Sequence, residues 1–169
     1  ATEANGGDTA TSTTTLAVTV AADADAPSLS ASAASGTEDT AIALSITSAL
    51  TDTDGSESQS ILISGVPAGA TLSAGTANPD GTWTLTSGQL SGLTITPPAN
   101  SDADFTLTVT ATSTDVPTGD TATTTGTITV SVAAVADTPS LTVAGSAGGN
   151  EDSPIALSIA GALADTDGS

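Results

Sequence analysis

One segment of the chain occurs twice with nearly the same sequence. Residues 27–56 read PSLSASAASGTEDTAIALSITSALTDTDGS, and residues 139–169 read PSLTVAGSAGGNEDSPIALSIAGALADTDGS. Pro27 and Pro139 are 112 positions apart, and the acidic residues that follow them are 113 apart because the second copy has one inserted residue. Recurrence at a fixed long period is the sequence signature of a tandem array. We therefore interpret the chain as a segment of a tandem repeat array.

The same test gives the boundaries of the repeats. Residues 7–27 align with residues 119–139 at a constant spacing of 112. The alignment predicts that 1–26 is the C-terminal strand and linker of one repeat, that 27–138 is a complete repeat, and that 139–169 is the N-terminal part of a third.

The charge of the chain restricts its partners and its chemistry. It has a net charge of −19 and contains no Lys, Arg or His. Without basic residues it lacks the electrostatic footprint of a protein that binds nucleic acid or anionic lipid. It also lacks Cys and Tyr, which leaves only carboxylates and unactivated hydroxyls for acid–base or nucleophilic work. We therefore expect no enzymatic activity, no nucleic-acid partner and no membrane insertion.

The composition favours a folded, exported protein. A hydrophobic fraction of 37% suffices for one small core per repeat, so wholesale disorder is not expected. The absence of Cys fits an extracellular protein that dispenses with disulfides. The sequence contains neither a signal peptide nor a transmembrane run, and an extracellular location is expected.

Apolar residues alternate with Thr and Ser along most of the complete repeat, as in FTLTVTAT at 105–112 and TITVSV at 127–132. Alternation of this kind predicts half-buried strands, and Gly, Pro and Asp mark the turns between them. About seven short strands in one repeat favour an all-β, immunoglobulin-like antiparallel sandwich. The predicted strands are A (28–34), B (40–47), C (59–65), D (69–73), E (82–86) with an optional further strand at 92–97, F (104–113) and G (122–132).

The acidic residues fall at the two ends of this predicted sandwich. The C-terminal end comprises the A–B and E–F turns and the following linker, and the N-terminal end comprises the preceding linker and the B–C and F–G turns. When repeats stack, the acids of one C-terminal end meet those of the next N-terminal end. The candidate ligands of a cation there are Asp23, Asp25, Glu38, Asp39, Asp52, Asp54, Asp102, Asp104, Asp137, Glu151, Asp152, Asp165 and Asp167.

Crowded carboxylates repel one another, by ~1 kcal/mol for two charges ~4 Å apart in water and by more near a protein surface. Oxygen ligands without His or Cys select Ca²⁺ over zinc or copper, and Mg²⁺ is the weaker candidate because it retains more of its water. The alternative is that the acids are solvated turn residues. We assign Asp80 to a hairpin turn, and Asp8, Asp120 and Glu57 to solvated charge.

Seven short sequence motifs, taken in their order along the chain, resemble those of a known family. TEDTAIALSI, TDTDGSES, GVPAGATLS, PDGTWTLT, LSGLTITPP, DFTLTVTATS and VADTPSL are similar to the extender repeats of giant RTX-type bacterial adhesins exported by type I secretion. Those repeats are calcium-dependent, immunoglobulin-like and distantly cadherin-like, and the resemblance covers essentially the whole chain. The cadherin pattern of acidic turns and linkers matches Asp52/Asp54, Asp165/Asp167, Asp102/Asp104, Asp25 and Asp137, although the linker here is shorter.

The resemblance implies a bacterial cell-surface stalk that holds a binding tip away from the cell for adhesion or biofilm formation. It implies one or more Ca²⁺ at each junction, neighbouring repeats of the same chain as partners, and a monomeric stalk.

Three other interpretations remain open. In an extracellular filament or surface layer, the incomplete end repeats would be completed by strands of other chains, giving head-to-tail association. In a carbohydrate-binding module an aromatic platform is expected, but Trp83 and Phe105 fall in the core phase of their strands. The Thr residues on the outer face of strands F and G are explained by strand preference and solubility, and an ice-binding array is the lesser alternative.

Overall fold

The computed structural model describes residues 1–2, 4–7, 9–20 and 23–164. Within these residues the protein is built from strands, with one 3₁₀ turn at Ser87–Leu90 and no α-helix, so no described helix could span a membrane. The strands are β1 (Ser28–Ala31), β2 (Ala34–Thr37), β3 (Ile42–Ala43), β4 (Ile46–Ala49), β5 (Glu57–Ser64), β6 (Thr71–Leu72), β7 (Thr76–Ala77), β8 (Trp83–Leu85), β9 (Thr94–Thr96), β10 (Phe105–Asp115), β11 (Thr121–Ala133), β12 (Ser140–Val143) and β13 (Ile159–Ala162).

The central part of the chain forms two layers of strands. One layer is a six-stranded sheet with the order β2-β11-β10-β5-β8-β7, in which β2 and β11 are parallel and the other pairs are antiparallel. The other layer consists of the three-stranded sheet β3-β9-β6 and the antiparallel pair β1-β4. The prediction of an all-β, sandwich-like protein is therefore confirmed.

The core lies between the two layers and contains the apolar residues of the alternating runs. Leu107, Val109 and Ala111 of β10 are fully buried, as are Ile128 and Val130 of β11. They pack with apolar residues of the opposite layer, namely Ile42, Leu44, Ile46, Leu72 and Ile95. The period of two in the sequence thus places one apolar face of each strand in the interior.

Predicted strands A and B are each divided in the structure. β1 pairs with β4 in one layer and β2 pairs with β11 in the other, so the chain crosses between layers at residues 32–33. β3 pairs with β9 and β4 pairs with β1. The apolar alternation continues through this change of partner, because Ile42, Leu44 and Ile46 are all buried.

The strands predicted at 82–86 and 92–97 are both present, as β8 and β9, but they lie in different layers. β8 pairs with β5 in the six-stranded sheet, and β9 lies between β3 and β6 in the opposite layer. The 3₁₀ turn Ser87–Leu90 intervenes, which lets the chain pass from one layer to the other. The hairpin prediction for Asp80 is confirmed, because it lies in the turn between β7 and β8.

Trp83 and Phe105 are partly buried and pack against the core, as their phase in the alternating pattern predicts. Gly65 follows β5 with a φ of +80°, a conformation that favours glycine. A Cβ at this position would lie 2.5 Å from the carbonyl oxygen of Thr106. The chain can therefore approach β10 closely only because residue 65 has no side chain.

The segments on either side of the central part are more exposed to solvent than their aligned counterparts in the central repeat. β12 and β13 pair in the same register as β1 and β4, with Ser140 opposite Ala162 as Ser28 is opposite Ala49. Every residue of these two strands is exposed.

Residues 11–20, which align with part of β11, form no strand. Leu16 is 86% exposed, whereas the aligned Ile128 is fully buried. The same sequence pattern is therefore buried only where it has a sheet to join.

Acidic clusters at the two ends of the sandwich

Glu38 connects the turn after β2 to the linker that follows β11. Its side chain is only 2% exposed. Its Oε1 accepts a 2.6 Å hydrogen bond from the main-chain N–H of Val135, and its own N–H donates to the carbonyl of Ala133 at 3.1 Å. The C-terminal linker is therefore attached to the sandwich through this carboxylate.

Asp39, the next residue, connects two turns of the same end. It has a φ of +56°, and its Oδ1 accepts a 3.0 Å hydrogen bond from the N–H of Asn100, which itself has a φ of +52°. Asp residues tolerate the left-handed conformation better than most residues. Asp39 thus holds the turn that precedes β3 against the turn that precedes β10.

Asp104 fixes the start of β10 to the end of β11. Its Oδ1 accepts from the N–H of Val132 at 2.8 Å, and its Oδ2 accepts from the hydroxyl of Ser131 at 3.4 Å. Asp102 is exposed two residues earlier, and Asp137 is half-buried in the linker two residues after Val135. The structure therefore gathers the predicted C-terminal acids of the central repeat around one end of the sandwich.

The third segment approaches this end. The side-chain amide of Asn100 donates a 3.2 Å hydrogen bond to the carbonyl of Ala164. Asp165 and Asp167, predicted to face the C-terminal end, directly follow Ala164 but lie outside the described residues. Glu151 and Asp152 are exposed in the segment between β12 and β13, and Asp152 has a φ of +60°, close to that of the aligned Asp39.

At the opposite end, Asp52 and Asp54 form consecutive Asx turns between β4 and β5. The Oδ1 of Asp52 accepts from the N–H of Asp54 at 2.9 Å, and the Oδ1 of Asp54 accepts from the N–H of Ser56 at 2.8 Å. Hydrogen bonds from the side chain and the N–H of Ser56 hold the pKa of Asp54 below its ordinary value. Asp54 is therefore stabilised in its ionised form.

The N-terminal linker is attached to this end. The N–H of Asp25 donates to the Oε1 of Glu57 at 2.6 Å, and the hydroxyl of Thr51 donates to the carbonyl of Ala26 at 2.7 Å. The hydroxyl of Thr124 on β11 donates to the carbonyl of Pro27 at 2.6 Å. Asp23 is exposed in the same linker.

Two acidic residues of this end were missed as candidate ligands. The assignment of Glu57 to solvated charge was wrong, because its Oε1 accepts the bond from Asp25 and its Oε2 is buried. Asp115, the last residue of β10, is fully buried, and its Oδ2 accepts from the N–H and the hydroxyl of Thr118 at 3.0 and 2.6 Å. The sequence contained a signal for Asp115, which continues the inward phase of Leu107 and Val109. Asp120 is exposed, and Asp8 lies outside the described residues.

The described part of the chain contains no group of three or more acidic side chains arranged to hold a metal ion. The potential ligands at the two ends are nevertheless all oxygen atoms, from carboxylates, hydroxyls and carbonyls. Ca²⁺ and Mg²⁺ prefer this donor set. Comparisons with protein-family models, with curated proteins and with solved structures found no match to this chain.

Proposed function

We propose that this chain is a stretch of immunoglobulin-like extender repeats from the stalk of a bacterial cell-surface adhesin, stiffened by Ca²⁺ at the junctions between repeats. Its role is mechanical, because the stalk holds a distal binding domain away from the cell for adhesion or biofilm formation. The observation that supports this most is the sorting of the acids to the two ends of the sandwich, where the linkers are attached.

The sheet order supports the immunoglobulin-like assignment. β1 and β4, with β3, β9 and β6, correspond to strands A, B, E and D of such a sandwich, and β11, β10 and β5 correspond to G, F and C. The crossing of the first strand from one layer to the other is compatible with this topology. The two linkers leave from opposite ends, as repeats stacked in a row require.

The charge supports the requirement for a cation. Nineteen acidic residues have no Lys, Arg or His to pair with, and several of them share one end of the sandwich. Repulsion between such groups grows as the local dielectric constant falls. A divalent cation between two repeats would turn this repulsion into an attraction between them.

The residues that would hold Ca²⁺ at the second junction are Glu38, Asp39, Asp102, Asp104 and Asp137, together with Asp165 and Asp167 of the third repeat. At the first junction, Asp23, Asp25, Asp52 and Asp54 are the corresponding residues, and Glu151 and Asp152 would serve the junction after the third repeat. When bound, Ca²⁺ would neutralise the carboxylates and bridge the repeats. This would remove the freedom of the linker, which otherwise allows domains to move.

Calcium dependence also suits an exported stalk. A chain whose folding free energy includes the binding of an ion stays less stable where the ion is scarce, and it gains stability where the ion is abundant. Such a chain would remain unfolded in the cytoplasm for secretion and fold outside the cell.

The test uses the variant Asp165→Asn/Asp167→Asn, with Asp120→Asn as a control of an exposed acid on another turn. We expect the double variant to lose part of the calcium-dependent rise in melting temperature, while the control retains it. The fluorescence of Trp83, the single Trp of the chain, reports whether the central repeat stays folded. If Trp83 reports unfolding of the central repeat in the double variant, the placement of these acids at the junction is wrong.

A second candidate is a repeat of an extracellular filament assembled by strand complementation. It is favoured by the apolar residues that the terminal segments expose, among them Leu16, Val18 and Val20 in one segment and Leu141 and Val143 in the other. Molar mass in solution separates the two proposals, because a stalk segment is monomeric and complementation gives head-to-tail polymers.

A further inference from the structure

Three buried oxygen atoms at the N-terminal end of the sandwich accept no hydrogen bond from the part of the chain that the structure describes. They are the Oε2 of Glu57, the Oγ of Ser113 and the Oδ1 of Asp115. Ser113 and Asp115 are both fully buried. Because most buried polar atoms in proteins have a partner, three such atoms on two adjacent strands require an explanation.

The strand register places the three side chains together. Asp115 of β10 lies directly opposite Glu57 of β5, and Ser113 lies one inward position before Asp115. The N–H of Val116 donates to the carbonyl of Ser56, so the main-chain groups of residues 116 and 56 point towards each other. Asp115 and Glu57 are then a non-hydrogen-bonded pair, in which the side chains of opposite residues approach most closely.

The charges of this cluster conflict in the absence of a cation. Like charges directly opposite each other on a sheet are destabilising, and a buried carboxylate is costly unless it is paired. No cationic side chain exists in the chain to pair with them. The other oxygen of each carboxylate is already in use, with Glu57 accepting from Asp25 and Asp115 accepting from Thr118.

We propose that Glu57, Ser113 and Asp115 form a divalent-cation site that belongs to the central repeat alone. Two carboxylates and a hydroxyl offer hard oxygen ligands and a charge of −2, which match Ca²⁺ with main-chain carbonyls or water completing its 6–8 ligands. All three ligands belong to one repeat, which distinguishes this site from the proposed junction sites, although it takes the same class of ion.

The site has a mechanical consequence for the N-terminal linker. Glu57 holds the linker through the N–H of Asp25, so a cation on the second oxygen of Glu57 fixes the carboxylate that holds the linker. Binding of the ion and attachment of the linker therefore support each other.

The test measures bound Ca²⁺ per chain by equilibrium dialysis on the full chain. The variants are Glu57→Gln and Asp115→Asn, and the control is Asp120→Asn in the adjoining turn. We expect each variant to bind one Ca²⁺ fewer than the control. Unchanged stoichiometry in the folded Glu57→Gln chain would overturn the proposal.

Asp115→Asn could fail to fold, because the substitution weakens the hydrogen bonds that Asp115 accepts from Thr118. A second measurement, on Glu57→Gln alone, then tests the site. The melting temperature of Glu57→Gln should be higher than that of the original chain in chelator, since one of two facing charges is removed, and lower in Ca²⁺. A shift of the same sign in both buffers would contradict the site.

The variant Asp102→Asn/Asp137→Asn separates this site from the junction. If it binds as much Ca²⁺ as the original chain while Glu57→Gln loses one ion, the proposal for the second junction fails and the site within the repeat stands. If it loses ions while Glu57→Gln loses none, the reverse holds.

Discussion

The carboxylate of Glu38 accepts a hydrogen bond of 2.6 Å from the main-chain N–H of Val135, which lies 97 residues later in the chain. Glu38 is nearly inaccessible to solvent. The bond therefore connects the first turn of the central repeat to the linker that leaves it.

Replacing Glu38 by Ala should lower the free energy of unfolding of the central repeat by about 1–3 kcal/mol, because the N–H of Val135 loses its acceptor. Urea unfolding followed by the fluorescence of Trp83 measures this. The matched control is Glu151→Ala, the aligned and exposed residue of the third segment, which should change the value by no more than about 0.5 kcal/mol. Equal effects of the two substitutions would show that the contact of Glu38 contributes nothing.

A second prediction compares two aligned apolar residues. Ile128→Ala should cost about 2–5 kcal/mol, because it opens a cavity in the core. Leu16→Ala should leave the stability of the chain nearly unchanged, because Leu16 is 86% exposed. Chemical denaturation of both variants checks the difference. A large loss in Leu16→Ala would mean that residues 11–20 are covered in solution by a partner, as strand complementation requires.

Gly65 provides a test of the close approach between the end of β5 and the start of β10. Gly65→Ala should destabilise the repeat by more than about 1 kcal/mol, because a Cβ would lie 2.5 Å from the carbonyl of Thr106 and the φ is positive. Gly81→Ala is the control, since Gly81 has a φ of +83° but no atom within 4 Å of its Cβ position. Thermal melting of both variants separates the clash from the conformational strain, and the prediction fails if Gly81→Ala is equally destabilising.

The turn at Asp80 should show a defined dependence on pH. Hydrogen bonds from the side chain and the N–H of Thr82 lower the pKa of Asp80. A lowered pKa means that the ionised group stabilises the folded state above the ordinary pKa and that this contribution disappears as the pH falls through the lowered value. Titration of the Asp80 carboxyl by NMR measures the pKa. Thr82→Ala should return the pKa towards its ordinary value, and no change in that variant would show that Thr82 is not the cause.

The sequence predicts most of the fold because its pattern depends on local physics. The alternation of Leu107, Val109 and Ala111 with Thr defines the buried face of β10 without reference to other strands. By contrast, the division of strand A and the sheet to which β8 belongs depend on which distant strands supply hydrogen bonds. The alternating pattern is the same for either partner, so it could not distinguish them.

The candidate acids show the same limit. Turn residues such as Asp39 and Asp104 are recognisable as acids at strand ends, and the structure places them at the expected end of the sandwich. Glu57 was missed although it continues the inward phase of Ile61 and Ile63 along β5, because acids at strand ends are usually solvated. Its contact with the linker and its position opposite Asp115 depend on pairing between distant segments, which no local pattern of residues encodes.

The most direct test of the account is thermal melting of this chain, followed by circular dichroism, in millimolar Ca²⁺, after chelation, and in Mg²⁺. The account predicts that the melting temperature rises by many degrees in Ca²⁺ and much less in Mg²⁺, because the clustered carboxylates bind Ca²⁺ only in the folded state. Equal melting temperatures in Ca²⁺ and in chelator would contradict it, and would mean that the acids are solvated charges on a calcium-independent spacer or filament.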